Sequence, residues 1–161
     1  MKFGYATYPL NADLLNSQAL VASFTKFGSY LLSQAYPEGC PTHPAYPAGH
    51  ATVAGACVTI LKFWFNETWL IPAPVKPSSD GSTLLPIVAN LTVGGELNKL
   101  AYNVALGRDW AGVHYRSDGD QGLRLGQAMA VSFLRQQKPL YNEAVGPWTA
   151  TGFDGELLVV S

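Results

Sequence analysis

The sequence predicts a mainly α-helical fold, a helical bundle with a small β-hairpin near the C-terminus. Two long segments repeat apolar residues at three- and four-residue spacing, as one face of a helix does. A third segment is apolar almost throughout and exceeds the usual length of a strand. Near the end of the chain, apolar residues flank Asp154-Gly155, a pattern typical of a hairpin. With 161 residues, the chain is expected to form one domain over residues 1–161.

The apolar segment predicts a buried helix from Gly49 to about Phe65. The fifteen residues that begin at Ala51 carry one charge, on Lys62, and show no strand-like alternation. A proline lies just before this segment, as is common at a helix start. Cys57 lies within the segment and is expected to be a small apolar residue of the core.

Periodicity predicts three more helices. One runs from Ser17 to about Lys26 and one from Gly95 to Trp110, and the last begins at Asp118 or Gly119 and ends near Arg135. The side chains expected to face inward are those of Leu20, Val21, Phe24, Leu97, Leu100, Ala101, Val104, Ala105, Leu123, Met129, Ala130 and Phe133.

The remaining segments are predicted from their prolines, glycines and turn residues. Residues 27–46 and 71–95 are expected to be irregular, and the second of these loops is long enough to shape a site mouth or an interface. Residues 152–160 form the predicted hairpin. Three aromatic residues are expected in the core or a pocket wall: Tyr46, Trp64 and Trp110.

Composition narrows the classes of partner. A net charge of −1 gives no basis for nucleic-acid binding. No stretch reaches the roughly 18 apolar residues of a membrane span. The N-terminus has no apolar core of secretory length, so we expect a soluble chain without a signal peptide, in an unassigned compartment. Since 48% of residues are hydrophobic and 13% charged, we expect an apolar face covered by a second copy, a partner chain or a missing N-terminal segment.

All three histidines lie in two short stretches, His43 and His50 in CPTHPAYPAGH and His114 in GRDWAGVHYRSD. Histidine titrates near neutrality and is the commonest metal ligand, so the clustering indicates a site. The amides of Gly49, His50 and Ala51 would lie at the start of the predicted helix, where free donors and partial positive charge suit an oxyanion. His50 would stand beside that anion and could exchange a proton with it.

Arg108 would supply positive charge to the same site. It lies eleven residues after Leu97, almost three helical turns, and so shares the inward face of its helix. His114 follows six residues later and Asp118 four residues after that. The Asp118 carboxylate could accept a hydrogen bond from one ring nitrogen of His114 and leave the other nitrogen free as a ligand or nucleophile. A structural ion pair of Arg108 with Asp109 or Asp118, and helix capping by Asp118, are the open alternatives.

PAGH followed by R-x5-H-x3-D resembles the second and third motifs of the superfamily of vanadium-dependent haloperoxidases and type-2 phosphatidic acid phosphatases. The wider segments PEGCPTHPAYPAGHAT, GELNKLAYNVALGRDWAGVHYRSDGDQGLRLG and GFDGELL are similar to the bromoperoxidase branch. The resemblance runs from about Ala35 to the C-terminus. It implies the C-terminal half of the haloperoxidase-type α-bundle.

The resemblance also implies a cofactor and a role for each motif residue. The cofactor would be vanadate, and phosphate could occupy the same site. His114 would be bonded to vanadium, and Arg108 and the Gly49 amide would clamp the oxyanion. His50 would be the acid–base group that assists peroxide binding, and His43 would modulate it.

Asp118 fits the motif aspartate, but two other features depart from the family pattern. A lysine followed by an arginine-proline pair is expected upstream of PAGH, yet no arginine precedes Arg108 and the only upstream lysines are Lys2 and Lys26. Ala48 stands where the family has a serine. Charge-assisted contacts contribute roughly 1.5–3 kcal/mol each, so these losses should weaken oxyanion binding.

Three functions follow as hypotheses. The first is a haloperoxidase that uses hydrogen peroxide to oxidise halide, with bromide expected, to a hypohalous-acid equivalent for an organic acceptor. The second is a phosphatase in which His114 attacks phosphorus and His50 protonates the leaving alcohol. The third is a non-catalytic assembly module of the same fold. A zinc site is disfavoured, because the histidines lack the short spacings of zinc motifs.

Overall fold

The fold is described from a computed structural model for residues 12–30 and 43–161. In chain order the elements are α1 (Ala12–Leu15), α2 (Gln18–Phe27), α3 (Gly49–Trp64), β1 (Val75–Pro77), β2 (Leu84–Pro86), α4 (Val93–Trp110), α5 (Arg116–Gln137), a 3-10 turn (Lys138–Leu140), β3 (Trp148–Thr151) and β4 (Leu157–Val160). Helices α3, α4 and α5 pack against one another. The predicted helical bundle with a C-terminal hairpin is confirmed. Lys2 and most of the expected irregular segment 27–46 lie outside the described residues.

Small residues bring α3 and α5 into backbone contact. A Cβ atom on Gly126 would overlap the carbonyl oxygen of Thr52 and lie 2.6 Å from the Ala56 nitrogen. A Cβ atom on Gly122 would lie 2.8 Å from the Ala48 oxygen. The two helices therefore cross at a distance that side chains on α5 would not permit.

The core at this crossing is built largely from alanine. Its buried cluster consists of Ala48, Ala51, Val58, Ala101, Ala105 and Leu123. Four of the residues expected to face inward are confirmed as buried: Ala101, Ala105, Leu123 and Ala130. Because these side chains are short, the helices approach closely and leave little room for larger apolar residues between them.

Five other residues that were expected to face inward are exposed, so that expectation is wrong for them. Val21, Phe24, Leu100, Met129 and Phe133 are 46–60% exposed. Helices α4 and α5 bury the sides that carry mainly small residues and leave a second apolar side exposed, whereas α2 has no buried residue. Periodicity locates an apolar side but does not show which of two such sides packs.

Helix α3 ends within one residue of its predicted end, but it is buried on one side only. Val53 and Trp64 are exposed, and so is Cys57, which corrects its expected place in the core. The buried residues on the opposite side are Ala51, Gly55, Val58, Thr59 and Lys62. Like Trp64, Tyr46 and Trp110 are exposed, so none of the three aromatic residues expected in the core or a pocket wall lies in the core.

No described helix is both long enough and apolar enough to cross a bilayer.

The segment 71–95 is not entirely irregular, because β1 and β2 form an antiparallel pair within it. Its turn is held by Asp80, which accepts hydrogen bonds from the Ser82 nitrogen at 3.1 Å and from the Ser78 hydroxyl. These bonds lower the pKa of Asp80 to about 2. At the other end of the chain, β3 and β4 pair antiparallel around Gly155, whose φ is 81°, as the hairpin prediction required.

Lys62, the one charge of the apolar segment, is 1% exposed and joins three elements. Its Nζ donates to Asn98 Oδ1 on α4 at 3.1 Å and to the Thr151 carbonyl on β3 at 2.5 Å. The ammonium also lies 4.8 Å from the ring centroid of Phe153. These contacts attach the C-terminal hairpin to the bundle.

Burial lowers the pKa of Lys62 below its ordinary value of 10.5, and the charges of Glu67 and Glu156 oppose this shift. Below the folded-state pKa, folding must bury a charged amine, whereas between that pKa and 10.5 only the unfolded chain is protonated. We therefore expect the stability of the wild type to rise relative to Lys62→Met as the pH increases from the lowered folded-state pKa towards 10.5. Urea unfolding at several pH values measures this difference. Lys99→Met, which removes an exposed lysine, is the control, and equal pH profiles for both variants would contradict the prediction.

Candidate oxyanion site

The first turn of α3 has no side-chain cap. Its N-cap residue is Ala48, which is fully buried and whose side chain has no hydrogen-bonding group. Within the described part of the chain, the amides of Gly49, His50 and Ala51 have neither an intrahelical acceptor nor a capping side-chain oxygen. A Cβ atom on Gly49 would meet nothing within 4 Å, so the space in front of this turn is open.

Three helix ends meet at this turn. The Ala48 amide donates to the Asp118 carbonyl at 3.0 Å, which joins the start of α3 to the start of α5. A Cβ atom on Gly119 would lie 3.2 Å from the Cβ of Ala105, so the C-terminal half of α4 packs there as well. The sequence motifs around Gly49 and Asp118 are thus brought together by main-chain contacts.

His114 and Asp118 form a buried pair. His114 Nδ1 lies 3.4 Å from Asp118 Oδ2, and the two side chains are 7% and 5% exposed. The same carboxylate oxygen accepts a hydrogen bond from the Tyr115 amide at 3.0 Å. Asp118 therefore contacts the histidine and also caps α5, so the two alternatives for this residue coexist. Because Nδ1 faces the carboxylate, Nε2 is the nitrogen left for a ligand.

Arg108 lies in the last turn of α4, half-buried, with its Nε atom shielded from solvent. Its carbonyl accepts a hydrogen bond from the Val113 amide at 3.2 Å. This bond turns the chain back at the end of the helix and fixes the residue before His114. Arg108 and His114 are therefore held on one compact turn.

The other two histidines are exposed. His50 is the second residue of α3, at the helix start where it was predicted. His43 Nδ1 lies 2.9 Å from the Pro44 carbonyl oxygen. Within residues 12–30 and 43–161, no hydrogen bond joins His43 to His50, so the expected influence of one on the other stays a prediction.

The shielded carboxylate oxygen of Asp109 was not predicted from the sequence. Its Oδ1 atom is shielded from solvent and has no hydrogen-bond partner among the described residues. Burial raises the pKa of its carboxyl group, the charge of His114 lowers it, and that of Asp118 raises it. The one sequence feature that could have indicated an unusual environment for Asp109 is its position in the last turn of a helix, where the helix dipole disfavours negative charge.

A model of the VCPO second helical-bundle domain matches residues 22–143. The chain belongs to the vanadium-dependent haloperoxidase family. It is 48% identical over 117 residues to a vanadium-dependent bromoperoxidase of Corallina officinalis, covering 71% of this chain and 20% of that protein. It is 44% identical over 140 residues to one of Ascophyllum nodosum, covering 83% of this chain and 25% of that protein. The resemblance found in the motifs is confirmed.

The fold of this chain also matches a solved structure. The homohexameric second vanadate-dependent bromoperoxidase of Ascophyllum nodosum superposes with a TM-score of 0.76 and 32% sequence identity. The match covers 86% of this chain and 29% of that chain. The chain thus spans between a fifth and a quarter of the length of the curated relatives described above.

Proposed function

We propose that this chain carries the oxyanion-binding part of a vanadate-dependent haloperoxidase site. In this proposal the protein oxidises halide, with bromide expected, using hydrogen peroxide, and passes a hypohalous-acid equivalent to an organic acceptor. The observation that carries the proposal is the buried His114–Asp118 pair beside the uncapped start of α3. The bromoperoxidase relatives support the choice of chemistry over phosphate-ester hydrolysis.

The residues present fit a tetrahedral oxyanion. The first turn of α3 has free amides and open space in front of Gly49. His114 would bind the vanadium through Nε2, and Arg108 and the Gly49 amide would hold oxyanion oxygens. Vanadate, when bound, would supply the chemistry that activates peroxide.

The remaining motif residues have smaller roles in this proposal. Asp118 would orient the ring of His114 and fix its tautomer, with the proton on Nδ1. His50 would move a proton to or from the peroxide, since its ring lies at the exposed helix start. His43 would modulate His50, and Ala48, fully buried, would offer only its backbone.

We also propose that the chain associates with copies of itself or with another segment of a longer polypeptide. Large apolar side chains are exposed on each of the three packed helices, among them Val53, Leu100 and Phe133. Large exposed apolar side chains that cluster on a surface mark interfaces in soluble proteins. The homohexameric neighbour favours a second copy.

His114→Ala tests the proposed function. We expect the wild-type chain to bind vanadate and to brominate a dione in the presence of vanadate, hydrogen peroxide and bromide. The variant should bind vanadate about 100-fold more weakly, because it loses the one contact made directly to the metal. Titration calorimetry and the bromination rate measure the two effects.

Asn103→Ala, which alters an exposed residue of α4, is the matched control and should keep the affinity of the wild type. If folded wild-type chain binds neither vanadate nor phosphate, the proposed function is wrong for this chain. If the affinity of His114→Ala equals that of the wild type, the site lies elsewhere.

A further inference from the structure

The short turn between α4 and α5 is closed by two nested hydrogen bonds. The Gly112 amide donates to the Asp109 carbonyl at 2.9 Å. The Val113 amide donates to the Arg108 carbonyl at 3.2 Å. This is the Schellman arrangement, in which residues beyond a helix satisfy its last carbonyl groups. The residues that lead to His114 therefore fold back onto the end of α4.

Gly112 has the backbone conformation that this arrangement requires. Its φ is 79°, in the left-handed region that the residue after a helix C-cap adopts in a Schellman motif. Glycine adopts this conformation without strain, asparagine tolerates it, and β-branched residues are rarely found in it. Ala111 and Val113, on either side of Gly112, are 7% and 4% exposed, so burial holds the turn on both sides.

The end of α4 depends on this turn for its position. The last buried residue of α4 is Ala105, and the residues after it, including Arg108, are half-buried or exposed. Because helix ends fray where burial does not hold them, the hydrogen bonds of the turn keep Arg108 in a helical conformation. His114, by contrast, contacts a buried carboxylate at the start of α5. The placement of Arg108 relative to His114 is therefore set through Gly112.

We propose that Gly112 is a positioning residue of the oxyanion site, an inference that rests on the proposed function. Its left-handed conformation lets the chain close on the Arg108 carbonyl, which keeps the guanidinium group on the same compact turn as His114. A residue that cannot adopt this conformation opens the turn, and the guanidinium moves away from an oxyanion bound to His114. Gly112 does not touch the anion, so its effect on binding is exerted through Arg108.

Two substitutions of Gly112 in the full 161-residue chain separate backbone conformation from side-chain size. Asparagine and valine have side chains of similar size, but asparagine tolerates the left-handed conformation and valine does not. Gly112→Val should bind phosphate or vanadate about 10–100-fold more weakly, because one charge-assisted contact is lost. Gly112→Asn should stay within about threefold of the wild type, since asparagine also closes Schellman turns. Titration calorimetry measures these affinities.

Amide hydrogen exchange gives a second readout that needs no oxyanion. The Val113 amide should be protected in the wild type and in Gly112→Asn, because it donates to the Arg108 carbonyl. It should exchange at least about 10-fold faster in Gly112→Val, in which the turn is open. If Gly112→Val does not fold, Gly112→Ala takes its place, because alanine is strained in this conformation but not excluded from it. Both effects should then have the same direction and a smaller size.

Gly155→Val is the matched control in the C-terminal hairpin. Gly155 has a φ of 81°, and a Cβ atom there would meet nothing within 4 Å. The substitution therefore imposes a similar backbone strain without steric overlap. It should lower the stability of the chain and leave its oxyanion affinity within about threefold of that of the wild type.

Equal oxyanion affinities of the wild type and Gly112→Val would overturn the proposal, and so would unchanged exchange of the Val113 amide. An equal loss of affinity in Gly155→Val would overturn it too, because the effect would then come from general destabilisation. Failure of the wild type to bind either anion would instead contradict the proposed function, while exchange of the Val113 amide would still test whether Gly112 holds the turn.

Discussion

Gly126→Ala is expected to destabilise the protein by about 2–4 kcal/mol. The added Cβ would overlap the carbonyl oxygen of Thr52 and lie 2.6 Å from the Ala56 nitrogen. Both are backbone atoms within α3, so no rotamer change can relieve the overlap. Relief requires the two helices to separate, which opens the alanine-rich core between them. Urea unfolding followed by circular dichroism measures the loss.

Gly107→Ala is the matched control on α4. A Cβ atom there would meet nothing within 4 Å, and the residue is exposed. Alanine in a helix interior is favoured over glycine by about 0.5–1 kcal/mol, so this variant should be more stable than the wild type. Equal effects of the two substitutions would show that the close crossing of α3 and α5 does not stabilise the fold.

Asp118→Ala is expected to weaken vanadate or phosphate binding by about 10–100-fold. The substitution removes the carboxylate that lies 3.4 Å from His114 Nδ1, so the ring loses the partner that fixes its tautomer and orientation. It also removes the acceptor for the Tyr115 amide and should cost about 1 kcal/mol of stability as a lost helix cap. Calorimetric titration and urea unfolding separate the two losses.

Asp118→Asn distinguishes the two roles further. Its amide oxygen can still accept from the Tyr115 amide, but an amide is a weaker acceptor than a carboxylate for the Nδ1–H of His114 and makes the ring a poorer ligand. We expect this variant to keep most of its stability and to lose most of its affinity. Asp120→Asn, on the same helix, should leave the stability close to that of the wild type and the affinity within about threefold of it. If Asp120→Asn weakens binding as much as Asp118→Asn, Asp118 acts through general charge and not through His114.

The helices were predictable because their local signals are strong. Apolar periodicity located α4 and α5 to within three residues at each end, and Pro47 marked the start of α3. The contact of His114 with Asp118 was also predictable, since a spacing of four residues brings side chains together across the start of a helix. These features depend on neighbours in sequence.

Features that depend on tertiary packing were not predictable. Met129 and Phe133 look like core residues by size, yet α5 packs through its glycines and leaves both side chains exposed. Strands β1 and β2 are three residues long and contain prolines, so their pairing leaves no periodic signal. The buried charge of Lys62 is tolerated only because Asn98 and Thr151, distant in sequence, supply acceptors.

The contact between α3 and α5 has a consequence for redesign of the site. Since the two helices touch through main-chain atoms at Gly122 and Gly126, the separation of the Gly49 amide from His114 is set by the backbone and not by adjustable side chains. We therefore expect substitutions on the outward sides of these helices, at Val53 or Met129 for example, to leave the spacing of the groups proposed to bind the oxyanion unchanged. The outward-facing residues of α3 and α5 can thus be exchanged while the backbone around Gly49 keeps its position.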